Sequence, residues 1–132
     1  MYATLATRGE PHLPGVSMSE SVLNVFRSSL DLVILKALSW GPRHGYAIAE
    51  WVEHATGTAL LLEEGTLYPA LHRIERRGWV TSEWGTSDAN RRAKFYTLTA
   101  AGSAQLRRET PTWLRHADAI ASALRSRSPA VA

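Results

Sequence analysis

The sequence predicts a mainly α-helical protein in which three helices precede a β-hairpin and one long helix follows it. Two observations support this prediction. Apolar residues recur at spacings of three and four in several segments before residue 78 and in one long segment after residue 99, as on one face of a helix. Two short segments between these positions are rich in β-branched and aromatic residues and flank a polar turn, which is typical of a hairpin. The length of 132 residues predicts one domain.

Composition excludes several classes of protein. The chain has no cysteine, which excludes a disulfide scaffold, a thiolate metal site and a cysteine nucleophile. No apolar stretch approaches the ~20 residues of a membrane-spanning helix, and the first residues do not resemble a secretory signal, so a cytoplasmic protein is expected. The net charge of +3 is by itself weak evidence for a nucleic-acid partner. Of the 15 cations all but Lys36 and Lys94 are arginine. The planar guanidinium group of arginine can donate paired hydrogen bonds to phosphate and to the edge of guanine. A GC-rich genome would explain the excess of arginine equally well.

The two ends of the chain are predicted to lack regular structure. Residues 1–17 show neither a helical nor a strand period and contain glycine and proline, so residues 1–27 are expected to form a flexible arm. Translation from Met1 and translation from Met18 are both compatible with the sequence, because a plausible coding start follows Met18. Residues 127–132 are expected to be frayed.

The first two helices are predicted over residues 28–40 and 44–56. Ser28 and Asp31 have the spacing of a capping box at the start of the first helix. This helix is apolar over most of its surface, so it needs cover on more than one side, and a second subunit could supply part of that cover. Gly57 is well placed to end the second helix.

The third helix is predicted over residues 66–77. Proline is tolerated only near the start of a helix, so Pro69 favours Thr66 as the N-cap, although a slightly earlier start with a bend is an alternative. A narrow apolar stripe runs along this helix and comprises Leu67, Ala70, Leu71 and Ile74. The residues predicted to project away from that stripe are Thr66, Pro69, His72, Arg73 and Arg76, with Tyr68 on one flank.

The hairpin is predicted to consist of strands over 79–84 and 93–98 joined by the polar turn 85–92. The turn contains Arg91 and Arg92, and Lys94 follows on the second strand.

The last helix is predicted over residues 99–126. Its apolar positions alternate at four and three, which is the heptad pattern of two helices packed lengthwise. The positions of this seam are Leu106, Thr110, Trp113, Ala117, Ile120 and Leu124. The seam could pack on its own domain, but it is longer than so small a core requires, so a homodimer is expected. Pro111 is expected to bend the helix near Thr110.

Three helices followed by a hairpin is the order of a winged helix-turn-helix, here over residues 28–98, with 99–126 as a dimerisation helix. In that fold the helix before the hairpin enters the major groove of DNA and the hairpin, or wing, contacts the backbone or minor groove. The residues predicted to contact double-stranded DNA are Thr66, Tyr68, Pro69, His72, Arg73, Arg76, Arg91, Arg92 and Lys94. We expect His72 and Arg73 to reach base edges and the wing cations to contact phosphates. The alternative is that these cations form only a solvated helix face and a solvated loop.

Four strings resemble the PadR family of bacterial transcriptional regulators: LDLVILKAL, GPRHGYAIA, EEGTLYPALHRIERRGWV and NRRAKFYTLTAAG. The resemblance is to the short subfamily with a single C-terminal helix. It implies a dimeric winged-helix repressor of its own or an adjacent efflux or stress operon, acting on a pseudo-palindromic operator. It further implies that the C-terminal helices contact one another across the dimer.

Trp113 falls where some members of this family place an aromatic residue in a ligand pocket between subunits. Trp113 therefore has two interpretations, a residue that fills the seam and a residue that binds a small aromatic or hydrophobic effector. The HGY string is expected to be structural, with Gly45 permitting close approach and Tyr46 packing at the helix start.

Two other classes of function compete with DNA binding. The common nucleophile, phosphate-loop and zinc-protease motifs are absent, so an enzyme is not expected, and the histidines lack metal-ligand spacing, so neither a metal nor a cofactor is expected. A winged helix that binds only other proteins is the stronger alternative, but it would not need the cations of the wing.

Overall fold

Residues 20–129 are described by the computed structural model, with side chains from Arg27 onward. The elements are the helices α1 (Glu20–Ala37), α2 (Gly45–Ala55), α3 (Glu64–Arg76) and α4 (Ala100–Arg125), a short 3₁₀ helix (Leu38–Trp40), and the strands β1 (Arg43–His44), β2 (Val80–Thr86) and β3 (Arg92–Leu98). The predicted order of three helices, hairpin and long helix is confirmed.

Helix α1 begins earlier than the sequence predicts. It starts at Glu20 rather than at Ser28, so residues 20–27 of the predicted arm are helical. No glycine or proline interrupts this stretch, and Ser28 therefore lies within the helix instead of capping it. Asp31, the other half of the predicted capping box, is buried. Residues 1–19 and 130–132, which include the rest of the predicted arm and the end of the predicted tail, lie outside the described residues.

The core lies where α1, α2 and α3 meet the inner face of the sheet. Each helix contributes large side chains that are almost completely buried, and the sheet adds Val80 and Tyr96. The predicted apolar stripe of α3 is confirmed, because all four of its residues are buried. The buried helix residues that form the centre of the core are Ile34, Leu35, Ile48, Val52, Leu71 and Ile74.

The hairpin is longer than predicted and has a third strand beside it. Strands β2 and β3 pair antiparallel from Val80 opposite Leu98 to Thr86 opposite Arg92. Strand β1 pairs antiparallel with the other edge of β3. Strand β1 could not be predicted from the sequence, because two residues are too few to show a strand period.

Helix α3 starts before the predicted N-cap. The N-cap is Glu63, whose carbonyl oxygen accepts hydrogen bonds from the N–H groups of Thr66 and Leu67. Thr66 thus lies in the first turn of the helix, where it is buried. Pro69 lies within the helix, as the alternative of an earlier start allows.

Helix α4 runs from Ala100 to Arg125 and stays helical through Pro111. The hydroxyl of Thr99 caps its start by accepting a hydrogen bond from the N–H of Gly102. Beside Pro111, the hydroxyl of Thr110 donates to the carbonyl oxygen of Leu106 over 2.6 Å. The helix is therefore continuous at Pro111, and the predicted bend near Thr110 stays a prediction.

We expect the variant Gly102→Ala to be strongly destabilised. A Cβ atom at Gly102 would lie 2.1 Å from the carbonyl oxygen of Trp79, and neither backbone can move without shifting α4 against the sheet. Overpacking of this kind costs about 1–3 kcal/mol or more of the free energy of unfolding. Gly65→Ala is the matched control, because nothing lies within 4 Å of its added Cβ. Helix propensity should make the control more stable by about 0.5–1 kcal/mol. Urea unfolding of both variants measures the difference, and equal midpoints would contradict this packing.

Candidate nucleic-acid interface

One face of α3 is open to solvent along its length. Tyr68, His72 and Arg76 are exposed and follow one another at intervals of four residues, so their side chains form one row on the helix. Pro69 is exposed beside Tyr68. Four of the six residues that the sequence predicts on the outer side of this helix are therefore accessible to a partner.

The other two predicted contact residues of α3 are not free to meet DNA. Thr66 is only 2% exposed, because the earlier start of the helix places it on the core side of the first turn. Arg73 is half-buried, and its guanidinium donates two hydrogen bonds to the carboxylate of Asp31 in α1. The distances are 2.7 Å from Nη2 to Oδ1 and 3.4 Å from Nε to Oδ2. The prediction that Arg73 faces outward to read base edges is wrong for this conformation, since α1 covers that flank of α3 and supplies the carboxylate.

Burial shapes the electrostatics of this ion pair. It raises the pKa of the Asp31 carboxyl, and the opposing effects of the Arg73 hydrogen bond and of the charges of Arg73, Arg77 and Arg27 do not cancel the rise. The carboxylate thus pays a desolvation cost that its partner offsets only in part. Removing Arg73 alone would leave this cost opposed only by the charges of Arg77 and Arg27.

The wing presents its cations in register. Arg91 and Arg92 are exposed and Lys94 is half-buried. Lys94 lies opposite Trp84 and Arg92 opposite Thr86, so these side chains share the face of the hairpin that continues from the core. A hydrogen bond of 2.6 Å from the Ser82 hydroxyl to the Glu75 carboxylate ties this hairpin to α3.

Three residues that were not predicted from the sequence lie beside the predicted ones. His44, Tyr46 and Trp84 line one cleft together with Tyr68, Arg92 and Lys94. Tyr46 is 72% exposed, and its ring stacks with that of His44, the N-cap of α2, so it packs at the helix start without entering the core. Gly45 does permit a close approach, because a Cβ there would lie 2.5 Å from the hydroxyl oxygen of Tyr68. The sequence indicates this cleft only by the number of aromatic residues near the cations of the wing, for which the predicted core gives no reason.

The predicted seam on α4 changes in exposure along the helix. Leu106 and Ala117 are half-buried, and the indole N–H of Trp113 donates to the Ser29 hydroxyl over 2.9 Å, so the first part of α4 packs on α1. Ile120 and Leu124 are 61% and 81% exposed in the protomer.

Trp113 also lines a cavity of about 100 Å³ with Asp31 and Glu109. Its role as an effector aromatic stays a prediction.

Neither a metal-ion cluster nor a membrane-spanning helix occurs among the described residues. Within residues 27–129, where side chains are described, no cluster of three His, Asp or Glu side chains is placed to hold a metal ion. None of the helices between residues 20 and 129 is long and apolar enough to cross a membrane.

Three helices, a three-stranded antiparallel sheet with a projecting hairpin, and a long terminal helix define a winged helix-turn-helix protein. Residues 34–108 match the PadR-like family of transcriptional regulators. The chain belongs to this family, whose members regulate transcription by binding DNA, are typically dimeric and are not enzymes.

Individual proteins are similar to the chain over most of its length. An uncharacterized protein from Lysinibacillus sphaericus is 27% identical over 90 residues, which are 68% of this chain and 83% of that protein. The structure of a transcriptional regulator from Clostridium thermocellum is 27% identical, with a TM-score of 0.65 over 75% of this chain and 96% of the other. A PadR family transcriptional regulator from Eggerthella lenta is 28% identical, with a TM-score of 0.62 over 81% and 91%.

We expect the Asp31–Arg73 pair to behave as one unit in a double-mutant cycle. Arg73→Met should lower the free energy of unfolding by about 3–5 kcal/mol, because it leaves a buried carboxylate unpaired. The double variant Asp31→Leu/Arg73→Met should return close to the wild type, because it removes both charges and keeps the volume. Urea unfolding of the two single variants and the double variant gives the coupling energy. Additive effects would show that the two side chains do not depend on each other.

The same pair predicts the pH dependence of stability. Because the pKa of Asp31 is raised above its ordinary value of 3.8, the native state holds the proton more tightly than the unfolded chain. The contribution of this group to stability therefore falls as pH rises from 3.8 through the raised pKa. This decrease in the free energy of unfolding with pH should be larger in Arg73→Met, which lacks the cation that opposes the rise in the pKa of Asp31. It should be absent in the double variant, which lacks Asp31.

Proposed function

We propose that the chain is a cytoplasmic, dimeric repressor that binds a pseudo-palindromic operator near its own or an adjacent operon. The observation that carries the proposal is the shared cleft that joins Tyr68 of α3 to Arg92 and Lys94 of the wing. The exposed row of α3 and the cations of the hairpin thus meet on one side of the protomer. A winged helix that binds only proteins gives no reason for cations and hydroxyls to converge there.

In this proposal α3 enters the major groove. His72 and Arg76 are exposed on α3 and can reach base edges, and an arginine can pair with both acceptors of a guanine. Arg91, Arg92 and Lys94 contact phosphates, which adds affinity without sequence information. Arg73 is assigned a different task from the one that the sequence suggests, because it holds α3 against α1.

The second half of α4 supplies the dimer contact. Ile120 and Leu124 are large apolar side chains that their own protomer leaves exposed, and they continue the seam that begins at Leu106. A twofold partner would cover them and set the two α3 helices about one DNA turn, ~34 Å, apart. Repression then follows from occupancy of a site that overlaps a promoter. Release by a small aromatic or hydrophobic effector at Trp113 stays a prediction.

We expect substitutions in α3 and in the wing to affect DNA binding differently. Arg76→Ala should weaken operator binding by about 1–3 kcal/mol and relax the choice of sequence. Arg91→Ala should weaken all duplexes alike and reduce the slope of log affinity against log salt by about 1. Arg127→Ala is the matched control, because it removes one arginine charge from a position beyond the end of α4. It should change neither the sequence preference nor the slope of log affinity against log salt.

Fluorescence anisotropy across a salt series measures these effects, with a duplex footprinted in the upstream region of the gene and a scrambled duplex of equal length. A wing variant that changed sequence preference while Arg76→Ala did not would reverse the assignment. A wild-type protein that bound neither duplex would refute the proposed function and favour the protein-binding alternative.

We expect Ile120→Asp to produce a folded monomer. An unpaired charge buried in the seam costs several kcal/mol, so dimerisation should fail and operator affinity should fall by orders of magnitude. Ser122→Asp is the matched control, because its side chain is exposed on the opposite side of α4 and should leave the dimer intact. Sedimentation and circular dichroism measure assembly and folding. A dimeric Ile120→Asp variant with unchanged operator binding would show that this position lies outside the interface.

A further inference from the structure

The wing is supported by its neighbours near one rung of the sheet, that is, one row of residues opposite each other. Ser82 of β2 lies opposite Tyr96 of β3, and Tyr96 lies opposite Arg43 of β1, so all three strands meet at this rung. Strand β1 ends one rung further out, and from there the hairpin continues as two strands as far as Arg92. Two-stranded hairpins are only marginally stable by themselves. The angle of the wing therefore depends on the contacts made near this rung.

A carboxylate of α3 reaches this rung from outside the sheet. Glu75 accepts a hydrogen bond of 2.6 Å from the hydroxyl of Ser82, and both residues are half-buried. Hydrogen bonds to a charged acceptor are stronger than those between neutral groups. Glu75 also acts on the other strand, because burial, and then electrostatic interaction with Glu75 and Tyr68, raises the pKa of the Tyr96 hydroxyl. The carboxylate thus lies close to both strands of the hairpin.

Glu75 holds the flank of α3 that Arg73 does not hold. Residues two positions apart on a helix project about 200° from each other. Arg73 accordingly contacts Asp31 of α1, whereas Glu75 contacts β2. The exposed row of α3 lies between these two flanks. One contact therefore ties the row to the helical part of the domain and the other ties it to the wing.

The length of the hairpin makes the wing cations sensitive to this contact. Arg92 lies opposite Thr86, which is four residues beyond Ser82, so it is about 13 Å from the rung at the rise of a β-strand. A tilt of about 15° at the rung would move Arg92 by about 3 Å, which is the length of a hydrogen bond. A wing that tilts freely would contact phosphates only part of the time while α3 occupies the groove.

We propose that Glu75 is a positioning residue for DNA binding, which acts through Ser82 to fix the angle between the wing and α3. Both elements then meet one duplex without rearrangement, and such preorganisation raises affinity by lowering the entropic cost of binding. The choice of sequence stays with α3, because phosphate contacts do not read bases. The inference rests on the proposed function and extends it, because it assigns the orientation of the wing to a contact within the protomer.

The decisive variant is Ser82→Ala, which removes the hydroxyl and leaves the charge of the protein unchanged. It should lower affinity for the footprinted and the scrambled duplex by the same factor, about 3- to 10-fold, and reduce the slope of log affinity against log salt by about 1–2. Ser82→Thr keeps a hydroxyl and should restore both quantities. Thr81→Val is the matched control, because it removes an exposed hydroxyl from the opposite face of the same strand.

A double-mutant cycle separates positioning from general damage to the fold. Arg91→Ala should lose most of its effect on affinity and on the salt slope in the Ser82→Ala background, because the wing is no longer held against the duplex. Arg76→Ala should keep its full effect there, because α3 still enters the groove. Glu75→Ala tests the same contact from the other side. It should weaken binding as Ser82→Ala does, although the loss of a negative charge by itself favours DNA.

The orientation of the wing can also be measured without DNA. The chain has no cysteine, so spin labels can be attached at Asp88→Cys in the wing and Glu53→Cys on α2, both at exposed positions. Double electron–electron resonance on labelled protein diluted with unlabelled protein gives the distribution of distances between the two labels. Ser82→Ala should broaden this distribution, whereas Thr81→Val should leave it unchanged.

Several results would overturn the proposal. These are an unchanged distance distribution in a folded Ser82→Ala variant, a full effect of Arg91→Ala in the Ser82→Ala background, an equal loss of affinity in Thr81→Val, and a loss confined to the footprinted duplex. Each of them leaves DNA binding by the wild type intact, so the positioning role can fail without the proposed function. Failure of the wild type to bind either duplex would refute both.

Discussion

The ion pair between Asp31 and Arg73 is the contact on which the arrangement of this protein depends. It joins α1 to α3 across 42 residues of sequence, with its shortest hydrogen bond at 2.7 Å. Helix α1 also packs against α4, through contacts that include the hydrogen bond from Trp113 to Ser29. The orientation of α3 relative to α4 is thus set partly through α1 and partly by the hydrogen bonds of Thr99 to Gly78 and Trp79, the residues just after α3. In a dimer built on α4, the same contacts would determine the spacing of the two α3 helices.

Engagement of Arg73 also changes which residues are available to a partner. The exposed row of α3 is reduced to Tyr68, His72 and Arg76, and the cations of the wing stand beside it. A surface with few residues able to read bases and many able to contact phosphates obtains much of its affinity from the backbone. Selectivity among sites would then depend on the pairing of two half-sites as much as on either one.

Helix α4 combines two environments in one continuous element. Its first part is anchored to the domain through Gly102, where the backbone of Trp79 leaves no room for a side chain, and through Trp113. Its last turns carry Ile120 and Leu124 in the open. The helix is therefore rigidly attached at one end and presents an apolar surface at the other, which is the geometry that a dimer contact requires.

Local periodicity and composition were enough to predict several elements of the fold. The buried stripe of α3, the hairpin with Arg91, Arg92 and Lys94, and the length of α4 follow from the spacing of apolar and β-branched residues, and the structure contains them. A short strand such as β1 left no such signal, and without a breaker before Ser28 the start of α1 could be placed only by the structure.

The contacts of individual polar and aromatic residues could not be predicted in this way. Arg73 lies on the polar side of α3 by periodicity, yet a carboxylate from a distant helix engages it. Thr66 is buried because the helix begins one turn earlier, and Tyr46 is exposed because α2 starts at the rim of a cleft. Periodicity shows which residues share a face of one helix. The partner of a side chain depends on which other elements pack against that helix, and the local sequence does not contain this information.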